Sequence, residues 1–321
     1  MRHYPRLSLD AIRTLSVHDR KNLVTIANMA RPGTERDPLW TSDAIKRLVD
    51  SIVQARRHHR PVIWSMGAHV IKNGLARYII ALVERGWITH VAGNGAASIH
   101  DFELAYLGGT SEDVATAIED GTFGMWEETG RWMNEAFKEA ANQGQGYGAG
   151  LAAYIEHHPE RFPYATDCVI ARVIQAGRPY TSHISLGTDI IHQHPTADFG
   201  ALAYCSGVDF QTFCETVGQL DGGVILNFGS AVSGPLVFLR ALSVAYNQGH
   251  RVCPRAAANF DLQPEAGIRG VGREGMLPRT RTDFLDPVER LGGASWNFTV
   301  PHDVSIPSLF RHLVEAEEVR V

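Results

Sequence analysis

The feature that most constrains the fold is a repeated unit in which an apolar strand ends in glycine or a small polar residue and runs into a helix. Four such strand ends occur, at Gly67, Asn94-Gly95, Gly187-Thr188-Asp189 and Gly229-Ser230. Alternating strands and helices predict a mainly parallel sheet, because parallel neighbours need a crossover connection, which a helix supplies. We therefore expect an α/β protein with a doubly wound, mainly parallel sheet and helices on both faces.

The same sequence patterns predict individual helices and strands and a single domain. We expect helices over 43–57, 72–85 and 235–246, and strands at 61–64, 87–91, 181–186 and 222–226. The glycine-rich stretch at 143–148 predicts a mobile loop before a helix that starts near Leu151. No Pro/Ser-rich linker divides the chain, so we predict an N-terminal extension over 1–35 and a single α/β domain over 36–321.

Composition excludes several classes of protein. The formal charge is −5 and no basic face is concentrated in the chain, which argues against nucleic-acid binding. No stretch reaches the roughly 18 apolar residues of a membrane span, and the first residues lack the apolar core of a signal peptide. The four cysteines form no CxxC pair, as expected in a reducing compartment. We therefore expect a cytoplasmic protein with no membrane partner.

The strand ends also predict a ligand. In open α/β sheets, ligands bind beyond the carboxyl ends of the strands, where backbone N–H groups and helix N-termini attract phosphate. Neither GxGxxG nor GxxxxGKS is present, so the usual dinucleotide and P-loop fingerprints are missing. Ordinary tight turns between strand and helix are the alternative explanation.

Five segments together resemble the deoxyhypusine synthase family, and the resemblance covers most of residues 40–318. They are Gly67-Ala68-His69 to Gly74, Ala92-Gly93-Asn94-Gly95, Thr188-Asp189, Gly229-Ser230 and His302-Asp303-Val304-Ser305. The resemblance implies a Rossmann-like doubly wound domain, a homotetramer built from two dimers, and NAD bound at subunit interfaces. It also implies polyamine chemistry of the transferase type.

Carried over residue by residue, the resemblance assigns NAD contacts to the strand ends and to one segment near the C-terminus. These residues are Gly67, His69, Lys72, Gly93, Asn94, Gly95, Thr188, Asp189, Gly229, Ser230, Asp303 and Ser305.

The catalytic lysine of that family has no counterpart. All four lysines lie at or before Lys138, and the corresponding region reads Leu291-Gly292-Gly293-Ala294-Ser295-Trp296-Asn297. Gly234-Pro235 stands where the family has a histidine. We therefore expect an NAD-dependent transferase or oxidoreductase that oxidises a small amine or alcohol transiently and does not make deoxyhypusine.

Two segments hold the candidates for acid–base chemistry. His100, Asp101 and Glu103 follow the Asn94-Gly95 turn, and His192 follows Asp189. A histidine beside a carboxylate moves protons near neutral pH, which oxidation of an alcohol or amine requires. The structural alternative is that His100 caps a helix and Glu103 pairs with an arginine. Lys72 is a candidate for a Schiff base or a phosphate contact, with a solvated helix lysine as its alternative.

Two other functions stay open. His192 and His194 would bind a metal together with carboxylates in a hydrolase or lyase if both lay on a strand. Because Asp189 is expected to begin a helix, His194 would face away from His192, and we predict no metal site. The remaining alternative is a non-catalytic sensor that keeps the dinucleotide pocket.

Overall fold

The computed structural model of the protein describes residues 4–35, 39–262 and 278–318. Its strands are β1 (Val24–Thr25), β2 (Val62–Met66), β3 (His90–Gly93), β4 (Gly109–Thr110), β5 (Tyr180–Ser182), β6 (Val224–Phe228), β7 (Ala256–Asp261) and β8 (Ala294–Thr299). Its helices are α1 (Asp43–Arg57), α2 (His69–Lys72), α3 (Ala76–Glu84), α4 (Gly95–Leu107), α5 (Val114–Asp120), α6 (Glu127–Asn142), α7 (Tyr147–His157), α8 (Val169–Gln175), α9 (Phe199–Gly218), α10 (Ser233–Asn247), α11 (Asp286–Arg290) and α12 (His302–Glu318).

Six of the strands form one sheet in the order β5-β3-β2-β6-β7-β8, and every neighbouring pair in it is parallel. The chain starts in the middle at β2, builds outward through β3 to β5, then returns to β6 and builds outward on the other side. The winding direction therefore reverses between β2 and β6. In open α/β sheets this switch point is where the crevice for a ligand opens.

Helices cover both faces of the sheet, and each face has its own core. Side chains alternate along β2, so Val62, Trp64 and Met66 join one apolar cluster while Ile63 joins the other. The first cluster contains residues of α1, α3 and α12, and the second contains residues of α9, α10 and α11. The expected doubly wound, mainly parallel architecture is confirmed.

Several element boundaries differ from the sequence-based expectation. The helix from Asp43 to Arg57 is confirmed, with Ser42 Oγ accepting a hydrogen bond from the Ile45 backbone N–H at 3.2 Å. The single helix expected over 72–85 is wrong: α2 and α3 are separated at Gly74, whose φ is +73°. The loop expected at 143–148 is shorter, because α7 already begins at Tyr147.

Residues 4–35 pack against the α/β body. β1 pairs antiparallel with β4, and Leu15 bridges to Trp126. The Arg20 guanidinium reaches the Glu103 carboxylate on α4. Residues 1–3 of the expected extension lie outside the described residues. The division into an extension and one domain stays a prediction.

Within the three described ranges, no helix has both the length and the apolar character that crossing a bilayer requires.

Candidate functional site

A cavity of about 520 Å³ lies among the segments that follow β2, β3 and β5, with part of its wall from the N-terminal segment. Because these segments leave the carboxyl ends of neighbouring parallel strands, the cavity lies at the edge where ligands are expected. Five of the sequence-predicted site residues line it together: Lys72, His100, Glu103, Thr188 and Asp189. Arg20 and Glu112 also line it. The sequence did not single them out as site residues, because both belong to segments distant in the chain from the four strand ends that predicted the ligand.

His100 is the best-placed base in this cavity. Its Nδ1 lies 2.7 Å from Thr110 Oγ1, and that hydroxyl donates its only proton to Glu103 Oε2 at 2.5 Å. Thr110 must therefore accept from His100, so Nδ1 carries the ring proton and Nε2 keeps its lone pair. Burial lowers the pKa of His100 to about 4, and the positive charges of Lys72 and Arg20 act in the same direction. His100 is therefore neutral at physiological pH.

Glu103 is fully occupied as a hydrogen-bond acceptor. Arg20 donates to both of its oxygens, at 2.7 and 2.9 Å, and Thr129 donates to Oε1 at 2.8 Å in addition to the bond from Thr110. Both members of the ion pair are buried. The geometry therefore matches the alternative in which Glu103 pairs with an arginine, and it leaves Glu103 no free oxygen for proton transfer.

The structure does not bring Asp101 into the cavity. Its carboxylate accepts from the backbone N–H groups of Val169 and Ile170 at 2.9 and 2.8 Å, and from Cys168 Sγ at 3.1 Å. It therefore binds the beginning of α8 on a different side of α4 from His100, as expected for residues adjacent in a helix. Burial raises the pKa of Asp101 to about 6. This position makes Asp101 a helix-capping residue outside the cavity, and its acid–base role stays a prediction.

Asp189 lies against the N-terminus of α4. A Cβ at Gly95 would come within 1.9 Å of Asp189 Oδ2, so only glycine leaves room for this carboxylate. Asp189 Oδ2 is buried and has no hydrogen-bond partner, and burial raises the pKa of Asp189 to about 6. A buried carboxylate oxygen without a hydrogen bond is costly, and the contact of this one with His192 Nε2 is long, at 3.9 Å. The atom is therefore available to a bound ligand or water.

His192 and His194 do not form a common site. A short 3-10 helix begins at Ile190 with Asp189 as its N-cap, and His192 Nδ1 accepts from the backbone N–H groups of Gly187 and Asp189, both at 3.1 Å. His194 Nε2 donates instead to the Gly124 carbonyl at 3.0 Å. The described part of the chain contains no group of three or more His, Cys, Asp or Glu residues that could hold a metal. Neither histidine lines the cavity, so the residues that the structure describes do not support the hydrolase or lyase alternative.

A second group of predicted residues meets at the switch point. A Cβ at Gly67 would lie 2.7 Å from the Gly229 carbonyl oxygen, so the turns after β2 and β6 touch. Gly229 has a φ of +68°, and a Cβ there would lie 2.7 Å from His302 Nε2 at the start of α12. Asp303 is exposed in the first turn of that helix, while Ser305 Oγ is buried without a hydrogen-bond partner.

Comparison with known proteins defines a class of fold. No family model and no curated protein matches the sequence. The chain is similar to the solved structure of a conserved putative LOR/SDH protein from Methanococcus maripaludis S2, with a TM-score of 0.52 and 16% identity, covering 90% of this chain and 74% of that chain. It is equally similar to AgrE in a ternary complex with ornithine and NAD+, with a TM-score of 0.52 and 11% identity, covering 88% of this chain. These proteins share its doubly wound α/β fold.

The likeness stops at the fold. The chain spans only about a third of the length of AgrE, 34%, and of the arginine dihydrolase ArgZ from cyanobacteria, 33%. A putative deoxyhypusine synthase from Entamoeba histolytica aligns with a TM-score of 0.47 and 9% identity, over 84% of this chain and 87% of that chain. Membership of the deoxyhypusine synthase family therefore stays a prediction.

Proposed function

We propose that this chain is an NAD-dependent, deoxyhypusine synthase-like enzyme that transiently oxidises a small amine or alcohol. One observation carries the proposal: a neutral histidine of defined tautomer, His100, lines a cavity at the carboxyl edge of a sheet whose strand order places a ligand crevice at that edge. The proposal also draws on the structure of AgrE, whose ternary complex contains ornithine and NAD+.

The switch point fits a dinucleotide. Glycines at the β2 and β6 turns bring main-chain groups close together, which side chains at these positions would prevent. The unpartnered Ser305 hydroxyl and the exposed Asp303 carboxylate are suited to ribose hydroxyls and amide groups. Gly67, His69, Gly229, Ser230, Asp303 and Ser305 would hold one part of NAD. Gly93, Asn94, Gly95, Thr188 and Asp189 would lie beside the other.

NAD, when bound, supplies the acceptor for a hydride. His100 Nε2 would take the proton that the hydroxyl or amine of the substrate loses in the same oxidation. Thr110 and the Glu103–Arg20 pair behind it hold the ring in the tautomer that leaves Nε2 unprotonated. Lys72, which also lines the cavity, lowers the pKa of His100 by its charge and thereby helps to keep the ring neutral.

Deoxyhypusine synthesis does not fit these residues. The segment that corresponds to the catalytic lysine of the family forms β8 over Ala294–Thr299, where Asn297 accepts a hydrogen bond from Asn259 at 2.6 Å. Of the residues that line the described cavity, Lys72 is the one lysine, and it lies after β2 instead. The covalent imine of that family forms on a lysine near the C-terminal end of the chain, where this sequence has none.

The charges around the cavity favour an amine over a neutral alcohol. Glu103 and Arg20 neutralise each other, which leaves Glu112, Asp113 and Asp189 against Lys72. A cationic substrate would restore the balance. Transfer of the oxidised group to a second amine, as in polyamine chemistry, is compatible with this lining.

Titration calorimetry with NAD tests the cofactor. We expect Asp303→Ala to weaken NAD binding by about tenfold, the effect of losing a charge-assisted hydrogen bond. Glu139→Ala, which removes an exposed carboxylate on α6, is the matched control and should bind as the wild type does. Equal affinity of the two variants would remove the assigned contact.

A second measurement separates an enzyme from a sensor. NADH formation with a panel of small amines and alcohols is followed by the absorbance of the reduced cofactor at 340 nm. We expect the rate of NADH formation to fall about a hundredfold in His100→Asn, with unchanged affinity for NAD. NAD binding without turnover on any substrate would favour the dinucleotide sensor. Native mass spectrometry of the same preparation tests the proposed homotetramer and any co-purified NAD.

A further inference from the structure

A second cavity, of about 510 Å³, lies at the opposite edge of the sheet from the proposed active site. It spans the amino ends of three neighbouring strands. Arg60-Pro61 directly precedes β2, Thr89 precedes β3 and Arg178-Pro179 precedes β5, and all of these residues line it. The proposed sites for NAD and substrate do not use these residues. Their grouping around one cavity therefore needs its own explanation.

The lining of this cavity is cationic. It contains Arg56, Arg60, Arg178 and His59, and no carboxylate lines it among the described residues. Arg56 is already engaged: it pairs with Glu317 at 2.8 Å and stacks over the ring of Trp87 at 4.0 Å. Arg60 and Arg178 make no side-chain hydrogen bond or ion pair within the described ranges. Two unpartnered guanidinium groups therefore face one space.

Compensation of helix dipoles does not account for the two free arginines. α1, α3, α8 and α9 end near this cavity, and each C-terminus carries about half a negative charge. Together they contribute about −2, against three full positive charges. Moreover, an arginine that compensates a helix end donates to its carbonyl groups. Arg56 does so toward the Arg85 carbonyl at 2.9 Å, whereas Arg60 and Arg178 do not.

The backbone presents these two arginines in a fixed way. Each is followed by a proline, which restricts the preceding residue to extended conformations, and each proline leads into a buried parallel strand. The β5-β3-β2 order separates the two strands by one neighbour, or about 10 Å. That separation lets two arginine side chains reach a common anion between them.

We propose that this cavity binds the phosphate group of a small phosphate ester. Guanidinium groups bind phosphate oxygens with paired, charge-assisted hydrogen bonds, and a dianion satisfies both free arginines at once. A volume of about 510 Å³ exceeds that of a phosphate ion and falls within the usual range for metabolite pockets. The site is distinct from the proposed NAD crevice, which lies at the other end of the same strands.

Titration calorimetry with inorganic phosphate and with glucose 6-phosphate tests this site. The full chain is compared with Arg60→Ala/Arg178→Ala and with the control Arg47→Ala/Arg290→Ala, which removes the same charge from exposed positions elsewhere. We expect both probes to bind the wild type and the control equally, and to bind the cavity variant about tenfold or more weakly. All four substituted arginines are exposed, so the fold should tolerate each pair of changes.

Any one of three results would overturn the proposal. One is no heat of binding for either probe up to about 10 mM, which is weaker than the affinity of two charge-assisted contacts. A second is equal weakening in both double variants, which would mean a response to net charge alone. If the ester competed with NAD and was insensitive to Arg60 and Arg178, it would be bound at the dinucleotide crevice, and this assignment would also fail.

Discussion

At the scale of residues, the tautomer of His100 follows from a chain of single donors. Glu103 only accepts, because Arg20 donates to both of its oxygens; Thr110 has one proton and gives it to Glu103; His100 must then donate. The sequence predicted His100 from its position after a strand end. It could not predict Thr110 or Arg20, because their contacts depend on how β4 and the N-terminal segment fold back onto α4.

Long-range ¹⁵N–¹H NMR of the imidazole nitrogens tests this arrangement without a substrate. Above pH 5, we expect Nδ1 of His100 to carry a proton and Nε2 to carry none. We expect the pKa of the ring to be about 4, below the ordinary value of 6.5. The His100→Asn spectrum assigns the signal. In Thr110→Val the acceptor is lost, so the ring should populate both tautomers. A signal from Nε2–H in the wild type, or titration near 6.5, would contradict the arrangement.

Asp209 on α9 links two other elements through its carboxylate. It accepts from the backbone N–H groups of Ser182 at 2.6 Å and Gly148 at 3.1 Å. Burial nevertheless raises the pKa of Asp209 to about 7, from 3.8. A carboxyl group with a raised pKa in the folded state binds its proton more tightly there, so its ionisation opposes folding.

This sign gives a pH prediction. Between pH 4 and pH 7, the folded wild type retains the Asp209 proton that the unfolded chain loses, so this residue's contribution to stability falls as pH rises. Asp209→Asn does not titrate. We expect the free energy of unfolding of the wild type to fall relative to the variant by a few kcal/mol over this window, at about 1.4 kcal/mol per pKa unit. Urea denaturation at several pH values measures the difference, and parallel curves would refute the assignment.

At the scale of elements, the glycine-rich stretch shows why local sequence misleads. Flexibility was expected at 143–148, yet the glycines of this region allow α7 to pack closely. A Cβ at Gly148 would lie 2.0 Å from the Tyr180 carbonyl oxygen, and one at Gly150 would lie 2.4 Å from the Ala140 Cβ. Glycine occurs both where the backbone is flexible and where two elements pack closely, so only the packed structure distinguishes the two cases.

A matched pair of substitutions tests this explanation. Gly150→Ala places a methyl group against α6 and is expected to lower the free energy of unfolding by about 1–3 kcal/mol through overpacking. Gly207→Ala, in the middle of α9 with open space around it, is expected to raise it by about 0.5–1 kcal/mol through helix propensity. Thermal and urea denaturation measure both. Stabilisation by Gly150→Ala would show that α7 does not pack as described.

Periodicity predicted some elements and not others for physical reasons. α1 has a capping serine and one apolar stripe, so its limits were predicted to within a residue. α9 carries Gly207, Cys205 and several aromatic residues and is apolar on more than one side, so it has little helical signal despite its 20 residues. β8 was not predicted either, because Ala294–Thr299 lies at the sheet edge with mostly partial burial.

At the scale of the whole molecule, alternation of strands and helices predicted the layers but not the order of strands. The order places the switch point between β2 and β6, and it brings the Gly67 and Gly229 turns together although 162 residues separate them in number. The predicted site residues consequently divide into a group at the switch point and a group around His100. The residues predicted from short motifs reached these places because motifs at strand ends share one edge of a parallel sheet.

The N-terminal segment stabilises the folded protein and also forms part of the cavity wall. Arg20 and Glu103 are both buried, so removing one partner leaves an unpaired buried charge. We expect Arg20→Met to lower the free energy of unfolding by about 3–5 kcal/mol, and Arg20→Met/Glu103→Met to recover most of that loss. Urea unfolding followed by both fluorescence and far-UV circular dichroism measures the change. Because the pair joins the segment to α4 in the main core, the two signals should shift together. Arg20→Met could instead expose only the N-terminal segment to protease and leave the main unfolding transition unchanged. The segment would then unfold independently of the α/β body, and Arg20 would not hold Glu103 and Thr110 in place behind His100.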